Sequence, residues 1–425
     1  MKREIRIWML ALFGIGLAVS ISGAEILAGI LLLDWFYRLW RREVSWKKSW
    51  LDIPLLIFYV WALFTAAFRQ SASFSDALGA WDGFLLFFLL AHAFREEREV
   101  GTLVKWYCAA SVFSGFWGLV QASTHINYLP NERSLLTPAF FTGWPQWLLK
   151  QLAVWNLRAV GTRSHPLTFS EGLIPAFFLM AAQFMQSGNS SGRRRRWAWG
   201  VGSVLVAGGL IVSQARAVWL GVGAGFLLML LLAPRKSFSR PVVFALLLAA
   251  ILCVSGVPSL RGRLLSVFSS HSGTLGDQQS KQTRFEIWRQ ALESIRSHPV
   301  AGVGLKGARF IVRDQILNED RVWTETHNIF LQTIVEMGLV GLGLLLWIFF
   351  ICAKVAWSST GLQRAFWCAI LLAFMIAGFT ESWTGDKEIS MIFWSFVGIS
   401  EFLRMRGTRD WDWARQEKDN IRGGE

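Results

Sequence analysis

A histidine at position 327 opens a long apolar run, with Asn328 beside it and Gln332, Glu336 and Gly338 following inside the run. Imidazole titrates near neutral pH, so a histidine placed there can take a proton from a hydroxyl. Arginines recur at comparable edges. Arg158 stands in Arg158-Ala-Val-Gly161-Thr-Arg163-Ser-His165-Pro166, Arg216 in Ser213-Gln214-Ala215-Arg216-Ala217-Val218-Trp219-Leu220-Gly221, and Arg284 in Thr283-Arg284-Phe285-Glu286-Ile287-Trp288. A guanidinium near hydrocarbon is costly, and it either reaches for water or holds an anion. Several of them converging from distant segments would clasp a phosphate or diphosphate, because each offers two parallel hydrogen bonds. Taken singly, each arginine is equally accounted for by a lipid headgroup or a topological charge, and His327 by an interfacial position without a task. Arg216 stands out because its turn is too short to leave it much room in water. Glu325, Asp320 and Glu381 are acids that could replace His327 as the base.

The elements that must position these residues are membrane spans. The chain has 425 residues, 53% of them hydrophobic, and a mean hydropathy of +0.39. That composition points away from a soluble domain. Apolar runs lie at about 6–20, 23–37, 53–68, 78–94, 103–120, 167–186, 197–213, 217–233, 242–257, 328–352, 365–381 and 389–403, and a helix needs roughly 20 such residues to cross the hydrocarbon core. The expectation is an all-α integral membrane protein of about 12 transmembrane helices. The first two runs are short, and read as a tight hairpin or as one long tilted helix. Met1-Lys2-Arg3 before an apolar stretch imitates a signal peptide, but the continuing runs favour a retained first span.

With the amino terminus in the cytoplasm, the inner loops hold Arg38, Arg41, Arg42, Lys47 and Lys48, then Arg95 and Arg98, Arg193 to Arg196, Arg235, Lys236 and Arg240, and Lys354 and Arg364. The short outer loops hold only Arg69, Arg216 and Lys387. This positive-inside pattern supports an even number of spans, with both termini cytoplasmic. The formal net charge of +14 is thereby largely a topology signal, and no nucleic-acid partner is expected. Cys108, Cys253, Cys352 and Cys368 fall in or beside apolar runs, without zinc spacing or a disulfide partner outside them.

The organisation expected is therefore residues 1–257 as spans one to nine, with an outer segment at about 121–166; 258–327 as a large outer loop; 328–405 as spans ten to twelve; and 406–425 as a cytoplasmic tail. Within the loop, Thr283–Ser297 reads as an amphipathic helix with Phe285, Trp288, Ala291, Leu292 and Ile295 at helical spacing, ended by Pro299 and Gly302. Two lookalikes are set aside. Gly302-Val-Gly304-Leu-Lys-Gly307 matches GxGxxG but follows a helix rather than a strand. Asp410-Trp-Asp412 mimics a metal-binding pair but lies in the tail, so no metal and no cofactor is expected.

The order of these elements resembles the O-antigen ligase/polymerase superfamily. The resemblance rests on Arg158-Ala-x-Gly161-Thr162, on Ser213-x-x-Arg216-x-x-Trp219-Leu220-Gly221, and on one large loop. That loop reads Arg284-Phe-x-x-Trp288, His298-Pro299-x-x-Gly302-x-Gly304 and Thr326-His327-Asn328-x-x-Leu331-Gln332-x-x-x-Glu336-x-Gly338. It is strongest over about 158–345. The family's hairpin more often has Ser directly before Arg, where this chain inserts Gln214-Ala215. The resemblance implies a glycosyltransferase of the bacterial inner membrane, with its active site and the 258–327 loop in the periplasm between spans 9 and 10. It implies an undecaprenyl-diphosphate-linked glycan as donor, and either lipid A–core (a ligase) or a second lipid-linked repeat unit (a polymerase) as acceptor. A ligase is expected, by metal-independent inverting transfer. On that resemblance His327 is the base, Arg216 and Arg284 hold the diphosphate and Arg158 assists. Asn328 orients His327, and Trp288, Gln332 and Glu336 support them. A pilin-type protein acceptor would change only the acceptor. A transporter or flippase fits the span count, but its polar groups would sit near the midplane rather than at one face.

Overall fold

The computed structural model describes residues 3–44, 46–69, 82–124, 158–186, 193–234, 275–310, 325–382, 385–408 and 411. Among the described residues the regular structure is helical throughout. In chain order the α-helices are α1 (Arg3–Val19), α2 (Ile21–Trp40), α3 (Asp52–Arg69), α4 (Asp82–His92), α5 (Glu97–Thr124), α6 (Pro166–Gln186), α7 (Arg193–Val212), α8 (Arg216–Leu232), α9 (Leu275–Ser297), α10 (Ile329–Ser358), α11 (Gly361–Ala377) and α12 (Lys387–Met405), with a 3₁₀ turn at Gly307–Phe310. Apart from α9, each coincides with one of the expected apolar runs. The run at 242–257 lies outside the described residues, as do most of the 121–166 segment and the acids of the Asp410/Asp412 pair.

Among the described residues four helices, α3, α5, α6 and α10, are long and apolar enough to cross a membrane, while Gly83–His92, Arg196–Val212, Arg216–Leu232 and Gly361–Ala377 are apolar but shorter. The first two runs are separate helices. The chain turns at Ser20 so tightly that a side chain at Gly16 would stand 2.9 Å from the Ala24 nitrogen, which only glycine permits.

The chain divides into two compact units. The first comprises residues 1–27, 96–273 and 412–425. In it α5 packs against α1, α6 and α7, and α6 also meets α7 and α8. A buried ion pair, Arg6 Nε to Glu99 Oε1 at 2.8 Å, ties α1 to α5. The second unit comprises residues 28–95 and 274–411. In it α10 contacts α3, α9, α11, α12 and the 3₁₀ turn, and α4 lies along α12.

A break in α10 organises the second unit. Gly338 has φ 68° and ψ −168° within the helix, so the backbone groups around it lose their helical partners and need others. The loop after α9 supplies them. Val303 N–H donates to the Val335 carbonyl at 2.9 Å, Gly304 N–H to the Glu336 carbonyl at 2.8 Å, and Leu339 N–H to the Pro299 carbonyl at 2.8 Å. The Met337 carbonyl accepts from Trp61 Nε1 of α3 at 2.9 Å. The GxGxxG lookalike is thus the strip of backbone that seals a broken helix. Gly302, at φ 64°, lies against Glu336 so closely that a Cβ would sit 2.5 Å from its backbone carbon.

Candidate functional site

Helix α9 carries Arg284 and Trp288 over the start of α10. Ile287 and Ala291 are buried, Ala291 in a small core with Ala308 and Val335. Phe285 and Leu292, expected on the packed face, are 68% and 55% exposed, and the buried side is completed by Thr283, Gln290 and Ser294. The buried side is rotated from the centre of the apolar arc, so only its Ile287–Ala291 edge faces inward and the Phe285–Leu292 edge is left outside. The helix ends at Ser297, as Pro299 and Gly302 imply.

His327 sits in the short connection between this loop and α10, with φ +52°. A non-glycine residue in the left-handed region costs about 1–2 kcal/mol, so the surroundings must hold it there. They do so on both sides. Thr326 N–H donates to Gln332 Oε1 at 2.7 Å, and the Thr326 carbonyl accepts from Trp288 Nε1 at 3.0 Å. Asn328 N–H donates to Ser382 Oγ at 3.1 Å. The Asn328 side chain does not orient the imidazole, as the sequence reading expects. Its Oδ1 caps α10, accepting from Phe330 N–H at 2.9 Å and Leu331 N–H at 3.0 Å, and its Nδ2 donates to the Phe379 carbonyl at 3.1 Å. Asparagine ahead of an apolar run is a strong N-cap, and capping the orphan N–H groups of α10 uses up its acceptor. Gln332 and Glu336 are likewise internal. Gln332 Nε2 donates to Glu336 Oε1 at 2.8 Å, and the backbones of Lys306 and Ala308 also bond to the Glu336 carboxyl. These two side chains fasten the 304–308 turn to α10.

The residue that meets the imidazole is Glu381, in the connection from α11 to α12. Its Oε2 lies 3.5 Å from His327 Nδ1, and its Oε1 accepts from Arg284 Nη2 at 3.0 Å. The Glu381 side chain is 13% exposed, while His327 and Arg284 are 24% and 32% exposed. A partly buried carboxylate between a guanidinium and an imidazole fixes the side of the ring it faces and favours a proton on Nδ1, leaving Nε2 as the acceptor. The bond to Glu381 engages one of the five N–H groups of Arg284. A second acid, Glu325, adjoins this group. Its Oε1 would stand 2.6 Å from a Cβ at Gly385. Burial pushes its carboxyl up to about 7, with the charges of Asp386 and Glu381 acting the same way and that of His327 opposing. Asp386 itself caps α12, accepting from Glu388 N–H at 2.9 Å and Ile389 N–H at 3.3 Å.

Arg158 and Arg216 belong to the first unit. Arg158 Nε donates to the Ser213 carbonyl at 3.1 Å, in the turn between α7 and α8. Arg216 is the first residue of α8, and Ala215 provides no side-chain cap. Gln214 in that turn has φ +54°. Most of the remaining Arg158–Pro166 stretch is buried, with Ser164 and His165 exposed. Gln121 brackets Gly161, its Oε1 accepting from Gly161 N–H at 2.8 Å and its Nε2 donating to the Gly161 carbonyl at 3.0 Å. Arg163 is buried and donates to the Leu17 carbonyl. Of the residues singled out from sequence, then, Arg284, Trp288, Asn328, Gln332, Glu336 and His327 are gathered in the second unit, and Arg158 and the Arg216 turn are neighbours in the first. Glu381 is one of the acids that could serve as a base, but its link to both Arg284 and His327 has no signal in spacing or periodicity.

Residues 201–346, about a third of the chain, match the model of the O-antigen ligase family. The matched stretch begins within α7 and ends within α10. It takes in the Arg216 turn, α9 with Arg284, the strip that seals the break at Gly338, and His327; Arg158 and Glu381 lie outside it. No curated protein matches the chain.

Proposed function

From its O-antigen ligase family region we propose that this chain is a glycosyltransferase of the bacterial inner membrane, acting on the periplasmic face. It transfers a glycan from undecaprenyl diphosphate to a sugar hydroxyl of lipid A–core. The observation that carries the reading is Glu381 bridging Arg284 and His327. Diphosphate is already a good leaving group, so what the reaction needs is a base for the acceptor hydroxyl and positive charge where the leaving oxygen becomes anionic. His327 Nε2 takes the hydroxyl proton as the oxygen attacks the anomeric carbon. The bond from that carbon to the diphosphate oxygen breaks, its electron pair stays with the diphosphate, and one in-line displacement inverts the centre. Glu381 holds the imidazole and stabilises the imidazolium that forms. Arg284 meets the diphosphate with the N–H groups that Glu381 does not engage.

Arg216 and Arg158 are proposed as further diphosphate ligands, on the resemblance and on the character of their own turn. A cation at the first position of an uncapped helix opposes the helix dipole, and an anion there relieves both.

The test is transfer by the purified, full-length protein from undecaprenyl-diphosphate-linked glycan, with lipid A–core and with a second lipid-linked glycan as competing acceptors. Product on lipid A–core supports the ligase. Product only on the second lipid-linked glycan reassigns it as a polymerase. Passage of the donor across proteoliposomes with no new glycosidic bond reassigns it as a transporter.

A further inference from the structure

At the end of the second unit opposite His327, the termini of α2, α4 and α12 enclose a cavity of about 310 Å³. The two places are one helix apart: α12 begins after Asp386, near Glu381, and ends at the cavity with Met405 and Arg406. Arg38, Lys47, Arg95 and Arg406 line the cavity, against one carboxylate, Glu43. Two of these cations are held in place by their neighbours. Arg38 Nη1 donates to the Ala93 carbonyl at 3.2 Å, with Asp34 Oδ2 at 3.6 Å from the same nitrogen. Arg406 donates to the Arg95 carbonyl, and its guanidinium lies over the Phe402 ring. Asp34 offsets part of the Arg38 charge, whereas a carbonyl fixes the direction of a guanidinium without cancelling its charge, so Arg38, Lys47, Arg95 and Arg406 still outnumber Glu43 and Asp34 here.

His92 lines the same cavity and is 6% exposed. Its ring stacks on Trp46 at 4.4 Å. Its Nε2 faces the Asp52 carboxylate at 3.8 Å, and its Nδ1 has no hydrogen-bond partner among the described residues. A buried ring nitrogen left unsatisfied costs free energy that a bound partner would recover. Tyr37 and Trp40, in the same turn of α2 as Arg38, and Trp46, stacked on His92, are exposed. Amphipathic rings of this kind collect at the headgroup level of a bilayer.

We propose that this cavity binds the phosphate of an anionic phospholipid. The chemistry recognised is a phosphodiester anion, by guanidinium, ammonium and imidazole N–H groups. The exposed rings of Tyr37, Trp40 and Trp46 beside the cavity's lining residues favour a lipid over a free phosphate, because such rings belong at headgroup depth. The proposal is independent of glycan transfer, and its readout is binding.

The experiment uses the full-length protein in detergent. Thermal unfolding is followed with phosphatidylglycerol, phosphatidylcholine, glycerol phosphate and inorganic phosphate as separate additions, and native mass spectrometry counts retained lipid. The expected result is a saturable rise in melting temperature with phosphatidylglycerol alone, and an affinity at least about tenfold weaker in Lys47→Gln and Arg406→Gln. Lys47 is exposed, so its variant reports binding even where loss of the Arg406 contact perturbs folding. Equal stabilisation by phosphatidylcholine, or undiminished phosphatidylglycerol binding in Lys47→Gln, overturns the site. The same shift with inorganic phosphate overturns its assignment to lipid.

Discussion

Glu381 stands between Arg284 and His327, with one carboxylate oxygen 3.0 Å from Arg284 Nη2 and the other 3.5 Å from His327 Nδ1. The arginine comes from α9 within the large loop, the histidine from the end of that loop, and the acid from beyond α10 and α11 in the chain. One carboxylate therefore couples the residue proposed to bind the leaving group to the residue proposed to deprotonate the acceptor.

Arg284→Gln is expected to keep the fold, since α9 is fastened by Trp288 to Thr326 and by the Ile287–Ala291 edge. Loss of its charge is expected to lower kcat/KM on the order of a hundredfold. It is also expected to weaken inhibition by added undecaprenyl diphosphate by about tenfold or more. Steady-state transfer with and without that product checks both. An unchanged inhibition constant would remove Arg284 from the diphosphate.

His327→Asn exploits the backbone at φ +52°. Asparagine adopts the left-handed region more cheaply than histidine, so the variant is expected to unfold at the same or a higher temperature, gaining up to ~1 kcal/mol. It is expected to lose transfer nearly completely. Thermal unfolding and transfer measured on one preparation give the comparison. A variant that melts well below wild type would mean that the imidazole is structural.

Glu325 governs a pH dependence. Its carboxyl is near 7 in the folded protein, against an ordinary value of 4.5. Between those values the unfolded chain has lost the proton that the folded chain keeps, so stability falls as pH rises from about 4.5 to about 7 and then levels off. In Glu325→Gln the slope is expected to be shallower by the contribution of this one carboxyl. Melting temperature measured from pH 4.5 to 8 for both proteins decides it, and an identical slope in the variant would assign the dependence to another group.

Gly302 and Gly338 combine positive φ with backbone contact. A Cβ at Gly338 would stand 2.1 Å from the Val300 carbonyl oxygen. Gly338→Ala or Gly302→Ala is expected to cost on the order of 1–3 kcal/mol or more, and to release the loop from the break in α10. Limited proteolysis after α9 should then precede global unfolding, with transfer lost in parallel. Unaltered cleavage would show that the loop is held elsewhere.

What was legible in the sequence follows from how local the signal was. The helical runs announced themselves by length and apolarity, and α9 by its period and its stop at Pro299. Asn328 carried a readable signal that pointed elsewhere: a polar residue directly before an apolar run is an N-cap, and its acceptor is spent there. The orientation of α9 was not legible, because its apolar arc runs from Ile287 round to Phe285 and only contact with Val335 and Ala308 selects an edge. Glu381 was not legible as a partner because it comes 54 residues after His327 in a connection without periodicity. The GxGxxG lookalike misled as a motif and made sense as backbone: its N–H groups satisfy carbonyls that Gly338 releases.

The central claim is that His327 and Glu381 act as one unit on the acceptor proton. Its most direct measurement is kcat for transfer by His327→Ala, Glu381→Ala and the double variant, each confirmed as folded by thermal unfolding. Expected are a loss of about 10²–10⁴-fold for His327→Ala, a smaller one for Glu381→Ala, and losses well short of multiplying in the double variant, because the carboxylate's action on the imidazole goes with the ring and only its bond to Arg284 remains. Transfer at the wild-type rate by His327→Ala, or losses that multiply in the double variant, would contradict it.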